Sequence, residues 1–250
     1  MDIVGESFQP YGAGHWLMLA ITGVGAVALV VAGRRLRDRP AATIIARTLA
    51  LVLATAATIH LIVGLLPANF RIGASLPLQF SDALRFIAAA ALWFRWRWAL
   101  VITYYWGLTF NPWSIVTPNL HYVNAPWYDF TAYWVLHILV MWAPIYLVWG
   151  QGWHPDWRSY RMAIVLTLGW AAMTLGLNFL LGTNYGFLNR KPAAASPLDL
   201  MGPWPIYLLV CFVLMFIVWA LITWPWTTRR RAERRPSGTA RPPGTLASPG

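Results

Sequence analysis

Charge is what this sequence has least of: only 11% of its 250 residues are Asp, Glu, Lys or Arg. A soluble domain carries about 25% charged residues to cover its surface against water, so an ordinary soluble fold is excluded. A disordered chain is excluded as well, because disorder needs low hydrophobicity and 58% of these residues are hydrophobic. There is one cysteine, Cys211, so no intrachain disulfide can form and a stapled secreted module is ruled out. In its apolar run that thiol reads as a small packing group. Acidic residues are fewest, 8 against 19 basic, for a net charge of +11. The same composition argues against nucleic acid as a partner. Also missing are a G-x-S-x-G elbow, H-x-x-x-H or H-E-x-x-H metal spacing, and the repeated broken helices of a transporter.

Long apolar runs are what is there, and mean hydropathy is +0.53. Runs of about 20 residues, enough to cross some 30 Å of hydrocarbon, fall near 15–33, 43–66, 76–94, 98–117, 127–149, 161–181 and 204–226. Each is closed by Arg, Pro or Gly, and the third and fourth are split by Phe94-Arg95-Trp96-Arg97-Trp98, whose cations suit a headgroup boundary. The pattern predicts an all-α, polytopic integral membrane protein, a bundle of seven transmembrane helices over 1–226. Residues 227–250, rich in Arg, Pro, Gly and Ser, read as a disordered tail.

Orientation follows from the cations, which accumulate on the cytoplasmic side. Arg34, Arg35, Arg37, Arg39, Arg95, Arg97, Arg158, Arg161 and the tail arginines Arg229 to Arg235 fall on one side, and Arg71, Arg190 and Lys191 on the other. The N-terminus is therefore expected outside and the C-terminus in the cytoplasm, in a plasma membrane. Eighteen arginines against one lysine suggest a GC-rich bacterial genome. Asp2 and Glu6 are the only charges ahead of the first run, so it lacks the basic start of a cleavable signal peptide and is expected to stay as an anchor.

Polar residues inside such runs are where function is sought. Counted from the outer helix ends, His60, Gln79, Ser81, Asp82, Arg85, Asn111, Thr174 and Asn178 fall in the outer half of the bilayer, and the inner half is nearly all apolar. Asp129, Tyr133 and His137 recur every fourth residue and share one helix face. Stripes at matching depth are satisfied by turning to a common interior, which predicts a pocket open to the outside. Asp82 and Arg85 are spaced as an i,i+3 ion pair, and Asn111, Thr174 and Asn178 read as interhelical hydrogen-bond glue worth about 0.6 kcal/mol each. For acyl-transfer chemistry, Ser81 is the candidate nucleophile and His137 the general base, oriented by Tyr133 or Asp129. Asn111, Asn178 or His60 would be oxyanion donors. No metal and no cofactor are expected.

Leu76-Pro77-Leu78-Gln79-Phe80-Ser81-Asp82, Tyr105-Trp106-Gly107-Leu108, Thr117-Pro118-Asn119, His137, Asn184-Tyr185-Gly186-Phe187-Leu188, Lys191-Pro192, Gly202-Pro203-Trp204-Pro205 and Tyr207 together resemble the YwaF family of bacterial integral membrane proteins, whose animal relative is transmembrane protein 164. The resemblance spans roughly residues 10–225. It implies a seven-helix fold and phospholipid acyltransferase chemistry at the positions of Ser81 and His137. Serine stands where the acyltransferase pattern has a cysteine, and a hydroxyl needs a stronger base than a thiol. The function expected is a lipid acyltransferase or esterase whose partners are membrane lipids. The alternative is a non-enzymatic transporter or lipid- or solute-binding bundle. Oligomeric state is not legible.

Overall fold

The computed structural model describes residues 8–118, 120–192 and 197–233, and every regular element among them is helical. In chain order these are α1 (Ala13–Arg35), α2 (Pro40–Leu65), α3 (Phe80–Phe94), α4 (Arg97–Thr109), a short α5 (Asn111–Val116), α6 (Pro126–Ile145) with a π-helical turn to Gly150, α7 (Trp157–Leu181) and α8 (Ile206–Glu233). Their ends have local causes. Proline occupies the first turn of α2, α5 and α6, where its missing N–H is not needed. Asp156 caps α7 by accepting the Ser159 N–H at 2.7 Å, as N-cap carboxylates do. α7 stops at Gly182, whose φ of +65° is the left-handed cap that glycine adopts without strain.

Among the described residues, five helices are long and apolar enough to cross a membrane: Ala13–Arg35, Pro40–Leu65, Pro126–Gly150, Trp157–Leu181 and Ile206–Thr228. The third and fourth runs are shorter than read from sequence. α3 begins only at Phe80 because Leu76 to Gln79, around Pro77, form turns. The fourth run breaks at Phe110, ahead of Pro112, into α4 and α5, since Pro112 has no N–H to carry the helical hydrogen-bond ladder onward. At 15 and 13 residues, α3 and α4 span about 22 and 20 Å. α8, in contrast, continues past residue 226 to Glu233. The remainder of the expected tail, 234–250, and the Asp2 and Glu6 positions lie outside the described residues.

α6 is central: 61% of its apolar window is buried, against 11–22% in the other four long helices. α4 is enclosed all round, with Ala99 to Gly107 buried without interruption. Val24, Val27, Ile44, Leu51, Val165, Phe179 and Leu209 point outward from α1, α2, α7 and α8. Between helices in lipid, close packing of small residues replaces the hydrophobic drive. α2 accordingly buries Ala46, Ala50 and Ala57 in one cluster with Ala88 and Ala91 of α3. α1 meets the end of the α6 unit through two glycines, where a Cβ on Gly33 would stand 2.7 Å from the Gly150 Cα.

The half of the bundle read as apolar holds a buried polar chain. Tyr105 and Thr223 hydroxyls bond at 2.6 Å, Tyr104 donates to the Ile222 carbonyl at 2.9 Å, and Tyr146 donates to the Ala42 carbonyl at 2.7 Å. Tyrosine hydroxyls counted as apolar body in the sequence carry this network.

The two ends differ. At one, Arg34 donates to the Trp149 carbonyl, Arg37 to the Gly150 carbonyl and Arg95 to the Gln151 side chain, and Arg97 pairs with Asp156. The α1–α2 turn, the α3–α4 turn and the α6–α7 turn are thereby level with one another. At the other end lie the α2–α3 loop, the α5–α6 loop and the segment after α7.

Candidate functional site

At that second end, away from the arginines, α2, α3 and α6 splay around a recess of about 340 Å³. Its wall includes His60 from α2, Asp82 and Arg85 from α3, and Asp129 and Tyr133 from α6. Five residues selected from the sequence are thus brought together. Arg85 is only 8% exposed, and its Nη1 meets the Asp82 carboxylate at 2.8 Å. The ion pair expected from the i,i+3 spacing is present. Beyond Asp82, the Arg85 guanidinium makes no further hydrogen bond among the described residues. Its charge reaches His60 on α2 and His137 on α6. The Tyr128 hydroxyl stands 3.4 Å from His60 Nδ1, with the two rings stacked at 6.3 Å.

Asp129 does not orient His137. Its Oδ2 accepts the N–H groups of Val123 and Asn124 at 2.6 Å each, and its Oδ1 accepts Asn124 Nδ2 at 2.8 Å. It folds the loop that precedes α6. The Tyr133 phenol points elsewhere too, donating to the Ser114 carbonyl at 2.7 Å. The group that orients His137 is the Tyr133 backbone carbonyl, 2.7 Å from Nδ1. A carbonyl can only accept, so the proton sits on Nδ1 and the Nε2 lone pair is left as a base.

Ser81 and His137 do not themselves line the recess. Ser81 is half-buried and stands four residues before Arg85, on the same face of α3. His137 follows the lining residues Tyr133 and Leu136 on α6. Ser81 also occupies the first turn of α3, which no side chain caps, so the first N–H groups of that helix are left over for an acceptor.

The remaining candidates serve the scaffold. Asn111 Nδ2 donates to the His137 carbonyl at 2.9 Å, tying α5 to α6. Asn178 Oδ1 accepts from Tyr185 N–H at 2.8 Å and Thr183 Oγ1 at 2.7 Å, while its Nδ2 donates to the Tyr185 carbonyl. It shapes a loop rather than gluing helices. Gln79 Oε1 accepts the Gly186 N–H at 2.8 Å. Thr174 is buried, but its hydroxyl has no hydrogen-bond partner among the described residues, so it does not act as glue there. Sequence reading passed over Asn69, His121, Asn124 and Tyr128, which line the recess from loops and a helix start. Arg71 lines it as well, and its isolation as a cation on the arginine-poor side was the available signal.

A lipid-facing helical bundle that seals its polar groups inside and opens a charged recess at one end defines a polytopic helical membrane protein. The chain belongs to the TMEM164 family, whose model matches residues 10–223. Naming it as YwaF-like is consistent with that family. Neither a curated protein nor a solved structure matches the chain.

Proposed function

We propose that the protein is a lipid acyltransferase or esterase that takes a membrane lipid headgroup into the recess and works on the adjoining ester. The observation that carries this reading is Arg85: a buried guanidinium with unfilled donors, facing an open recess, with Ser81 one turn away on its own helix. In the chemistry proposed, Ser81 Oγ attacks the ester carbonyl carbon while His137 Nε2 takes the hydroxyl proton. The oxyanion accepts the free N–H groups at the start of α3. The carbon–oxygen bond to the lipid alcohol then breaks, and that alcohol leaves with the proton from His137. A second alcohol or water removes the acyl group from Ser81 by the same steps in reverse.

The proposed setting is a plasma membrane crossed seven times, N-terminus and recess outside. The bonds of Arg95 and Arg97 to the α6–α7 turn favour seven passes over five, because they hold the α3–α4 turn level with the other arginine-bearing turns.

The test is a fluorophosphonate probe on the purified protein, with lipid acyl chains followed by mass spectrometry. Wild type is expected to label, Ser81→Ala to lose both label and turnover, and His137→Ala to slow turnover by roughly 10²–10⁴-fold. Equal labelling and turnover in wild type and Ser81→Ala would remove Ser81 from the chemistry. That Ser81 and His137 stand behind the lining favours a second reading, a non-enzymatic lipid- or solute-binding bundle. Ligand-induced thermal stabilisation with no labelling of any variant is its signature.

A further inference from the structure

One cation stands on the lipid-facing surface of the bundle. Arg47 is exposed on the outer face of α2, with Ile44 and Leu51, 64% and 60% exposed, one turn to either side of it. α2 has 26 residues and is about 39 Å long, so centred on some 30 Å of hydrocarbon it overhangs each face by about 4–5 Å. Arg47 follows Pro40 by seven residues, which puts its Cα about 6 Å inside the hydrocarbon. Cations at such positions are costly unless they are paired or drawn up to the headgroups.

The protein does not pair this one. Among the described residues Arg47 makes no ion pair and no hydrogen bond. Its neighbour is the ring of Trp93 on α3, whose centre lies 5.3 Å from Cζ. That ring is itself 42% exposed. It fixes the guanidinium at the outer seam of α2 and α3 without cancelling its charge. Side chains on a helix lean toward its N-terminus, and for α2 that is the end where the arginine-bearing turns meet. α3 stops one residue beyond Trp93, whereas α2 runs on toward that end, so the first turns of α2 flank a ledge. Thr43 stands there, four residues before Arg47 and on the same face. It is exposed, and its hydroxyl bonds to nothing among the described residues.

We propose that this ledge is a second lipid site, holding one phospholipid of the arginine-side leaflet by its phosphate. The guanidinium fork of Arg47 takes two phosphate oxygens, the Thr43 hydroxyl donates to one of them, and an acyl chain descends the seam past Leu51. The site lies at the opposite end from the recess and does not depend on the reaction proposed there.

The chain is purified in dodecyl maltoside, whose headgroup carries no phosphate. It is photolabelled with phosphatidylglycerol bearing a diazirine near the glycerol end of one acyl chain, or with the matching diacylglycerol, and labelled peptides are mapped by mass spectrometry. Phosphatidylglycerol is expected to label residues 43–51 and 93–98 about tenfold more than diacylglycerol does, the size of one charge-assisted contact. Arg47→Gln should lose that excess and keep the wild-type thermal midpoint in detergent. Equal labelling of the seam by the two lipids in the wild type overturns the site without recourse to any variant. So does undiminished labelling of Arg47→Gln. Phosphatidylglycerol labelling spread evenly over the outward faces of α1, α7 and α8 as well would mark an ordinary lipid belt and overturn it too.

Discussion

With side chains 10% and 20% exposed, Arg85 and Asp82 balance each other's charge at the inner wall of the recess. Removing one partner of such a pair leaves a buried charge alone, at about 3–5 kcal/mol. Asp82→Asn is expected to fall near the lower end of that range and to lower the thermal midpoint of the detergent-purified protein. Pairing it with Arg85→Met should recover much of the loss, since a charge-free side chain of similar length suits the same space. If Asp82→Asn melts with the wild type, the pair does not carry this balance. Asp82 and Arg85 were readable in the sequence because both partners sit on one helix at a spacing that geometry fixes. The roles of Gln79, Asn178 and Asp129 were not. Their partners are the backbone N–H groups of Gly186, Tyr185, Val123 and Asn124, and residue types say nothing about where a loop's backbone comes to rest.

At the recess end Tyr185 ties the segment after α7 to the α2–α3 loop. Tyr185, fully buried, donates its hydroxyl to the Ile72 carbonyl at 2.7 Å and accepts the Leu76 N–H at 3.0 Å. The segment between those two residues carries Ala74 and Ser75 of the recess wall. Tyr185→Phe removes both bonds and is expected to cost about 1–3 kcal/mol. The loss should be local, with faster amide exchange at Ile72 to Leu76 and unchanged exchange in α4. Uniform acceleration across the bundle would show a global role instead. At the opposite end, Gly33→Ala puts a Cβ against the Gly150 backbone, so α1 must shift, at about 1–3 kcal/mol. Its check is the thermal midpoint, which a Gly64→Ala control, with nothing within 4 Å of the added carbon, should leave in place. The long helices and their order were legible because apolar runs and their Arg, Pro and Gly stops are local signals. The shortness of α3 and α4 was not, because α4 is shielded by neighbouring helices on every side and a buried apolar run looks the same as a spanning one.

Taken as a whole, the molecule separates its charges by end, and that separation bears on the choice between five passes and seven. Were α3 and α4 a hairpin dipping part-way from the recess side, the rest of the topology would be unchanged, because a hairpin returns to the side it left. The difference would lie only at its tip. That tip carries Arg95 and Arg97, bonded to Gln151 and Asp156 beside the α6–α7 turn, and cations at mid-bilayer cost about 2.5–3.5 kcal/mol each on insertion scales. In the proposed seven-pass arrangement, with about 20 Å of α3 and α4 to cover the hydrocarbon, local thinning of the bilayer or the flanking Leu76 to Gln79 and α5 segments would make up the remainder. Three single cysteines on a Cys211→Ala background read this out with a membrane-impermeant maleimide. Ala74→Cys, at the recess, should label in intact cells. Thr228→Cys, at the end of α8, and exposed Trp96→Cys, at the α3–α4 tip, should label only after permeabilisation. Trp96→Cys protected under both conditions would place the tip inside the bilayer and reduce the crossings to five, and labelling of Ala74→Cys only after permeabilisation would turn the recess toward the cytoplasm.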